Sequence, residues 1–307
     1  MSEGSAILFS NVTKRYRDVV AVDDVSLDVK RGEIFGLIGP DGAGKTTLMR
    51  ILASLILPDE GVVMIEGMNV VKDFKKVRKI IGYMPGRFSL YHDLSVEENL
   101  KFFAAVFNSR IEDNYDLIES IYSHIETFKR RKAGDLSGGM KQKLALSCAL
   151  IHRPRVLILD EPNTGIDAVS RMELWEILHE LQGQGITIFI STPYMDEAEA
   201  CDRVALIQKG RIMSVNTPEG IIEEFNRPIY SIRSDRIYRL SEDLKKHERT
   251  DSVYLFGQSV HFIPKKEEKI EEVLFKHLAS KGHKRIEIHR IKPNIEDCFI
   301  SLMRQKS

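Results

Sequence analysis

The sequence predicts an α/β protein with a mostly parallel core sheet, followed by a small α+β domain. Apolar, strand-length runs at residues 34–38, 156–159 and 186–190 alternate with helical patterns, and a glycine-rich loop follows the first run. Strands separated by helices favour a largely parallel sheet. The pattern changes at Pro228, after which shorter strands and helices occupy about 80 residues, a usual domain size. We therefore predict domains at 6–225 and 229–307.

Composition excludes several classes of protein. The 307 residues suffice for about two domains with ample core. Because 45 Lys+Arg balance 45 Asp+Glu, there is no overall electrostatic case for binding nucleic acid. No apolar run approaches the ~20 residues needed to cross a bilayer, and residues 1–10 lack a secretory signal. The scattered Cys148, Cys201 and Cys298 predict reduced thiols in a cytoplasmic protein.

The elements of the first predicted domain follow in order. Residues 6–38 form short strands and hairpins, and a helix runs from 45 to 55. Residues 95–128 are predicted to be helical, with a possible cap at Ser95 and Glu98 three residues later. Further helices start near Ser137 and span 168–182, and 204–215 form a hairpin.

The second predicted domain contains a strand from 229, a helix, strands at 252–256 and 259–263, a helix at 266–281, a strand at 285–291 and a final helix. Its His283 and His289 are spaced for no obvious metal, and we expect them on the surface. Two basic clusters, residues 72–79 and 129–132, are interpreted as solvated faces, with a lipid or nucleic-acid patch as the less favoured alternative. Contact of the second cluster with a membrane partner stays open.

The strongest motif is a phosphate-binding loop, Gly39-Pro40-Asp41-Gly42-Ala43-Gly44-Lys45-Thr46, which matches G-x-x-x-x-G-K-[ST]. Glycines let backbone N–H groups turn toward phosphate oxygens, and the following helix presents its positive end. Lys45 supplies a charge to the β- and γ-phosphates, and Thr46 offers a hydroxyl to Mg²⁺. A chance match in a chain of this length occurs on the order of once in a hundred. Thr47 completes the predicted nucleotide-binding set.

An acidic pair supplies the second half of the predicted site. The buried strand 156–159 ends in Asp160 and Glu161, at the edge where open α/β sheets bind ligands. Asp160 is predicted to hold Mg²⁺ through water, and Glu161 to orient and polarise an attacking water. An apolar strand ending in Asp-Glu is common on its own. Together with the glycine loop it indicates a nucleotide hydrolase.

A third motif narrows the class. Leu136-Ser137-Gly138-Gly139-Met140 precedes a helix and resembles the signature motif of ABC-type ATPases. Residues 6–225, about 70% of the chain, follow the motif order of that family. The resemblance implies a P-loop NTPase fold with an N-terminal antiparallel β subdomain and a helical insert at about 87–155. It also implies that Tyr16 stacks on adenine and that Asp167 lies in a loop exchanged between subunits.

The resemblance further implies partners and a location. In ABC proteins two nucleotide-binding domains enclose ATP between the glycine loop of one and the signature of the other, so Ser137, Gly138 and Gly139 are expected to act on a partner's ATP. We expect ATP and Mg²⁺ as cofactors, a second nucleotide-binding subunit, separate permease subunits in the membrane, and no nucleic acid. The chain would then lie in the cytoplasm, peripheral to the membrane. Segments 82–85, 195–198 and 291–299 look like those of bacterial exporter ATPases.

Two positions depart from the family pattern. Gly86 stands where the family usually has Gln, and Pro193 stands where it usually has His. Neither side chain can donate or accept a hydrogen bond. Removing one group that stabilises the transition state often lowers the reaction rate roughly 10²–10³-fold. We therefore predict a site that binds ATP but hydrolyses it poorly. The alternative is a loop geometry in which another group substitutes.

Other functions stay open at this point. One is a soluble ABC ATPase that acts on ribosomes or DNA, although such chains usually carry two nucleotide domains or a long coiled coil. Another is a non-hydrolysing regulatory module, favoured by Gly86 and Pro193 and opposed by Glu161. A nucleotide kinase is disfavoured by the signature motif.

Overall fold

The computed structural model describes residues 4–266 and 270–305. Contacts divide the chain into two compact units, one that takes in residues up to 219 together with those from 302, and one of residues 220–301. The sequence prediction had ended the first domain at residue 225. In the described part of the chain, no helix is both long and apolar enough to cross a membrane.

The first unit contains most of the elements. In chain order they are β1 (Ser5–Tyr16), β2 (Val19–Lys30), β3 (Ile34–Ile38), α1 (Lys45–Leu52), β4 (Glu60–Ile65), β5 (Met68–Asn69), α2 (Phe74–Ile80), β6 (Ile81–Met84), α3 (Val96–Val106), α4 (Tyr115–Glu126), α5 (Gly138–Leu150), β7 (Val156–Asp160), α6 (Ala168–Gly183), β8 (Thr187–Thr192), β9 (Arg203–Gln208), β10 (Arg211–Asn216) and the start of α7 (Pro218–Glu224). Short 3-10 turns lie at Glu112–Asn114, Ala133–Asp135 and Met195–Ala200.

Two sheets share this unit. An antiparallel sheet has the strand order β2-β1-β4-β5, and the core sheet has the order β10-β9-β3-β8-β7-β6. All neighbours in the core sheet are parallel except β9 and β10, which form the predicted hairpin. The predicted mostly parallel core sheet is therefore confirmed. Strands β3, β7 and β8 are buried along their whole length, which explains their continuous apolar runs.

The core sheet brings the ends of three strands together. β8 lies between β3 and β7, with Ile38 opposite Thr192 and Asp160 opposite Ser191. Because parallel strands point the same way, the loop after β3 and the residues after β7 and β8 meet at one edge of the sheet. In the core, the Phe189 ring packs against Phe9 and Phe35, with ring centroids 5.9 Å and 5.8 Å apart.

The helical region between β6 and β7 differs in part from the prediction. The capping box is confirmed: Glu98 N donates to Ser95 Oγ at 3.2 Å, and Ser95 N donates to Glu98 Oε2 at 2.8 Å. The helical prediction over 95–128 is confirmed for most of these residues, but it did not place the break between two helices: α3 ends at Val106 and α4 starts at Tyr115. Asn108 has a φ of 54°, the left-handed conformation that often ends a helix.

The second unit is an α+β layer. It contains β11 (Ile229–Arg233), α8 (Ile237–Lys245), β12 (Thr250–Phe256), β13 (Ser259–Pro264), α9 (Glu271–Ser280), β14 (Glu287–Ile291) and most of α10 (Ile295–Gln305). The strands form an antiparallel sheet in the order β12-β13-β11-β14. This order of strands and helices confirms the predicted one. The start of the helix predicted at 266–281 includes 267–269, which lie outside the described residues.

One prediction for this unit is wrong. His283 is only 6% exposed, with Nε2 3.0 Å from Asp243 Oδ2 and Nδ1 3.2 Å from Ser234 Oγ. The ring is buried because both nitrogens have partners, which removes most of the cost of taking a polar group out of water. His289 is exposed on β14, as predicted.

Candidate nucleotide-binding site

The glycine loop links β3 to α1. Gly44 has a φ of 105°, and a Cβ there would lie 2.3 Å from the backbone oxygen of Ala21, so only glycine fits. Asp41 and Gly42 are exposed, while Ala43 is buried and its N–H donates to Pro40 O at 3.1 Å. No side chain caps the N-terminus of α1, which begins at Lys45. Its first N–H groups are therefore left for a ligand such as a phosphate.

Lys45 is the most enclosed cation of the site. Its side chain is 3% exposed, and Nζ donates to Gly39 O at 2.7 Å and to Pro40 O at 3.0 Å. The third partner of Nζ is Glu161 Oε1 at 3.1 Å. The ammonium is thus held beside the glycine loop by three oxygens that a phosphate can replace.

Asp160 and Thr46 form the candidate magnesium site. Thr46 Oγ1 donates to Asp160 Oδ1 at 3.1 Å, and Ser191 Oγ donates to the same oxygen at 2.9 Å. Burial raises the pKa of the Asp160 carboxyl, although both hydrogen bonds oppose that rise. A hard cation with oxygen ligands suits this arrangement, because it would offset a buried carboxylate charge. Thr46 and Asp160 therefore fit Mg²⁺.

Glu161 has an unusual backbone. Its φ is 51°, in the left-handed region that a non-glycine residue rarely adopts. Its N–H donates to both Ser191 O at 3.1 Å and Ser191 Oγ at 3.0 Å, which holds the turn. Strained residues of this kind persist where the surrounding structure holds them, often at functional sites. The turn directs the Glu161 carboxylate toward Lys45.

The two departures lie next to this group. A Cβ at Gly86 would lie 2.9 Å from Asp160 O, so the loop that carries Gly86 packs closely against the end of β7. Gly86, Glu161 and Gln142 line one cavity of about 160 Å³. Pro193 directly follows β8, and Gly39 N donates to the preceding Thr192 O at 3.3 Å. Both positions thus adjoin the candidate site, and neither supplies a hydrogen-bonding side chain.

The remaining predicted residues sit apart from Lys45. Tyr16, 44% exposed, ends β1, with Lys14 Nζ 5.7 Å above its ring. Ser137 caps α5 by accepting from Met140 N at 3.4 Å, so Gly138 and Gly139 open that helix. Among the described residues, no hydrogen bond or ion pair joins Tyr16 or Ser137 to the Lys45 group. Thr47 lies nearer to Lys45: it is half-buried in the first turn of α1, two residues after the lysine.

Asp167 has a structural contact of its own. It caps α6 by accepting from Val169 N and Ser170 N, both at 3.0 Å. The hydrogen bond from Ser170 N is the main reason that the pKa of Asp167 lies below its usual range. The carboxylate therefore stays charged at the start of α6.

Sequence reasoning missed one residue that supports the site, Ser191, and one buried polar pair that follows Glu161 in the chain, Asn163 and Glu197. Ser191 contacts both Asp160 and Glu161; its signal was its position at the carboxyl end of a strand beside β7. The buried Asn163 donates from Nδ2 to Glu197 Oε1 at 2.8 Å, and burial raises the pKa of Glu197. Only the fold brings these two together.

A glycine loop whose lysine and threonine meet an acidic pair at the ends of parallel strands defines the P-loop class of nucleotide-binding proteins. The sequence profile of the ABC transporter family matches residues 22–164. The probable multidrug ABC transporter ATP-binding protein YbhF of Escherichia coli K12 is 38% identical over 97% of this chain. A Nod factor export ATP-binding protein I of Burkholderia thailandensis is 35% identical over 96% of this chain and 95% of its own length.

Solved structures that resemble this chain come from the same family. A structure of the ATP-binding subunit of an ABC transporter is 27% identical, with a TM-score of 0.66 over 72% of this chain and 93% of that one. A dimeric ATP-binding cassette in a post-hydrolysis state with ADP and Pi is 26% identical, with a TM-score of 0.63 over 69% of this chain and 98% of that one. The chain belongs to the ABC transporter ATP-binding proteins, and its fold is the P-loop NTPase fold of ABC ATPases. It spans about half the length of YbhF, 52%.

Proposed function

We propose that this chain is the ATP-binding subunit of an ABC exporter, with separate permease subunits and a weakly hydrolysing site of its own. The observation that carries the proposal is the contact group of Lys45, Thr46, Asp160 and Glu161, beside Gly86 and Pro193. The first four are the groups that nucleotide binding needs. The last two lack the side chains expected to complete hydrolysis.

The chemistry follows from the contacts. A bound triphosphate would displace Glu161, now 3.1 Å from Lys45 Nζ, because an ammonium forms strong charge-assisted hydrogen bonds with phosphate oxygens. The freed Glu161 carboxylate would then accept a proton from the attacking water. Thr46 and Asp160 would hold Mg²⁺, which would supply positive charge to offset the negative charge that develops on the phosphates. Because residues 86 and 193 have no polar side chain, Glu161 would position that water without a hydrogen bond from either residue. Hydrolysis would therefore be slow.

A second nucleotide-binding subunit is part of the proposal. The N–H groups of Gly138 and Gly139 start α5, and Ser137 and Gly138 are exposed. An exposed helix N-terminus attracts an anion, which supports a role of the signature on a partner's γ-phosphate. Asp167 and Tyr16 are proposed to contact the partner and the adenine, respectively. ATP would close this dimer, and closure would shift the permease between its two states.

The permease is proposed to dock in an apolar groove of the first unit. A cavity of about 440 Å³ lies between α2, α3 and α5, next to the loop that carries Gly86. Its lining includes Tyr83, Leu90, Phe103, Val106 and Phe107. Val106, one of these lining residues, is 60% exposed, and a groove lined by contiguous apolar side chains is typical of an interaction site. A membrane partner's helix fits this chemistry, and the chain would accordingly lie on the cytoplasmic face of the membrane.

Membrane fractionation with a groove variant tests the proposal. Val106→Asp places a charge in the groove, and Tyr238→Asp places one on another exposed apolar residue, 77% exposed on α8. In cells that contain the permease, the unaltered chain and Tyr238→Asp should sediment with membranes rather than ribosomes. At high salt, which screens any attraction between basic residues and lipid headgroups, the unaltered chain should stay on the membranes, whereas Val106→Asp should leave them and keep its affinity for ATP. Sedimentation with ribosomes, or equal loss of both properties in Val106→Asp, would contradict the proposal.

A second candidate, an ATP-dependent regulatory module, is favoured by one observation. Gly86 packs against Asp160 so closely that the loop closes part of the site without contributing a polar group. In that case ATP would serve only to close the dimer. Turnover by the chain together with a partner subunit separates the two candidates.

A further inference from the structure

A surface that is both basic and apolar surrounds α2. We call it the α2 surface and define it by exposed cations and apolar side chains of α2, of the segment just before α2 and of the turn after α1: Leu55, Leu57, Val71, Lys72, Phe74, Lys75, Lys76, Arg78 and Lys79. Leu57 is 61% exposed and Leu55 is 53% exposed. Large apolar side chains scattered singly need no explanation, but several of them beside five cations form a patch.

Specific contacts hold this surface together. Arg78 donates from Nε to Ser54 Oγ at 2.9 Å and from Nη2 to Ser54 O at 2.7 Å, which fixes the turn before Leu55 against α2. The Phe74 ring lies 5.3 Å from the Arg78 guanidinium and 6.0 Å from Lys75 Nζ. Val77 is fully buried beneath them. The cations and apolar groups therefore face solvent side by side.

The charge of the α2 surface is poorly compensated. Asp73 is the one carboxylate within 72–79, and it lies 3.8 Å from Lys76 Nζ. In the ranges 4–266 and 270–305, Lys72, Lys75 and Lys79 have no ion pair. The other basic cluster, 129–132, differs, because Glu97 faces it. Lys101 is the main cause of the lowered pKa of Glu97, and Lys129 and Arg130 add to it.

We propose that the α2 surface binds the anionic headgroups of the bilayer, with Leu57, Val71 and Phe74 at the boundary of the acyl chains. Basic residues beside an anionic membrane each change partitioning by roughly five-fold, and apolar residues among them add to it. Leu55, Arg78 and Lys79 also line the groove assigned above to the permease, so the lipid contact would adjoin that contact. The inference rests on the proposed function only for this location.

Vesicle co-sedimentation of the full chain tests the inference without a permease. The probes are vesicles of phosphatidylcholine alone and of phosphatidylcholine mixed with phosphatidylglycerol. The test variant is Lys72→Gln with Lys75→Gln and Lys76→Gln. The matched control is Lys129→Gln with Arg130→Gln and Lys132→Gln, which removes the same charge from the other cluster.

We expect the unaltered chain to bind the anionic vesicles at low salt and to lose binding as salt rises. The α2 variant should partition about 100-fold more weakly, whereas the control should change less than about five-fold. Leu57→Ser should weaken binding without removing its salt dependence. All variants should keep their affinity for ATP.

Two results would overturn the inference. One is no binding of the unaltered chain to anionic vesicles at low salt, which would assign the α2 surface to a protein partner. The other is an equal loss in both triple variants, which would show that only total charge matters. Neither result bears on nucleotide binding or on Val106→Asp fractionation, so the proposed function is tested separately.

Discussion

Glu161 and Lys45 show how single residues set the state of the site. In this structure the carboxylate and the ammonium neutralise each other at 3.1 Å, with Lys45 only 3% exposed. The left-handed turn at Glu161 keeps that contact in place through Ser191. Under the proposed function, nucleotide binding breaks this enclosed ion pair, and Lys45 gains a phosphate as its charged partner in exchange.

The loss of hydrolysis rate that we attribute to Gly86 and Pro193 can be measured by introducing Gln and His at these positions. Because Pro193 follows β8 directly, a histidine there starts close to the glycine loop, and Pro193→His should raise single-turnover hydrolysis at least about 10-fold. Gly86→Gln alone should raise it less, because its Cβ would lie 2.9 Å from Asp160 O and the loop must move first. The measurement is the rate of radiolabelled phosphate release at saturating MgATP.

Control variants make that result interpretable. Pro193→Ala removes the proline without adding a hydrogen-bonding group, so its rate should stay at that of the unaltered chain. A rise in Pro193→Ala equal to that in Pro193→His would show that backbone freedom, and not the imidazole, limits the reaction.

Whether a single residue's role could be predicted from the sequence depended on how far away in the chain its partners lie. The glycine loop and the Asp160-Glu161 pair were readable because each motif is contiguous and each follows a buried strand. The burial of His283 was not readable, because its partners Ser234 and Asp243 come from elements about 40 residues away or more. Asn163 and Glu197 illustrate the same limit.

At the scale of elements, one buried carboxylate of α10 forms hydrogen bonds with the sheet of the second unit. Asp297 is fully buried; its Oδ1 lies 2.6 Å from Tyr254 Oη and 2.7 Å from His261 Nδ1, and Asn294 N donates to its Oδ2 at 2.8 Å. Burial raises the pKa of Asp297, but the hydrogen bonds from His261 and Tyr254 outweigh it, so the pKa lies below its usual value.

Asp297→Asn should loosen β12 and β13. Breaking a buried pair by removing one charge costs about 3 kcal/mol, or roughly a 100-fold increase in amide exchange. Hydrogen–deuterium exchange of peptides covering 250–264 measures this, and Glu287→Gln on the exposed β14 is the control.

The same carboxylate gives a pH dependence. Because the folded pKa of Asp297 is lowered, its contribution to stability is present above the pKa of the unfolded chain and disappears as pH falls through the folded pKa. Protection of the amides at 250–264, taken relative to the intrinsic exchange rate at each pH, should therefore fall below about pH 4. Asp297→Asn should lack that acid-induced loss of protection, and an unchanged loss in the variant would contradict this assignment.

The order of elements was largely predictable, and their ends were less so. Continuous apolar runs indicated β3, β7 and β8 because these strands are buried on both faces. The break between α3 and α4 was missed, since Asn108 and the residues after it carry no proline or glycine to signal an end. The edge positions of β6 and β10 follow from pairing that no local pattern encodes.

At the scale of the whole molecule, we expect this chain to work in an asymmetric pair of nucleotide-binding subunits. This chain offers an exposed signature at Ser137 and Gly138 but lacks two polar side chains at its own site. A partner with Gln and His at the corresponding positions would receive a competent signature from this chain. The pair would then hydrolyse ATP mainly at the partner's site.

The most direct test of this account is steady-state MgATP hydrolysis by the purified chain across protein concentration, with Lys45→Ala as the blank and ATP binding measured in parallel. We expect ATP to bind while hydrolysis stays at the blank at every concentration. Hydrolysis above the blank that rises more than linearly with concentration would show a working homodimer, and the proposed impairment of the Gly86 and Pro193 site would be wrong.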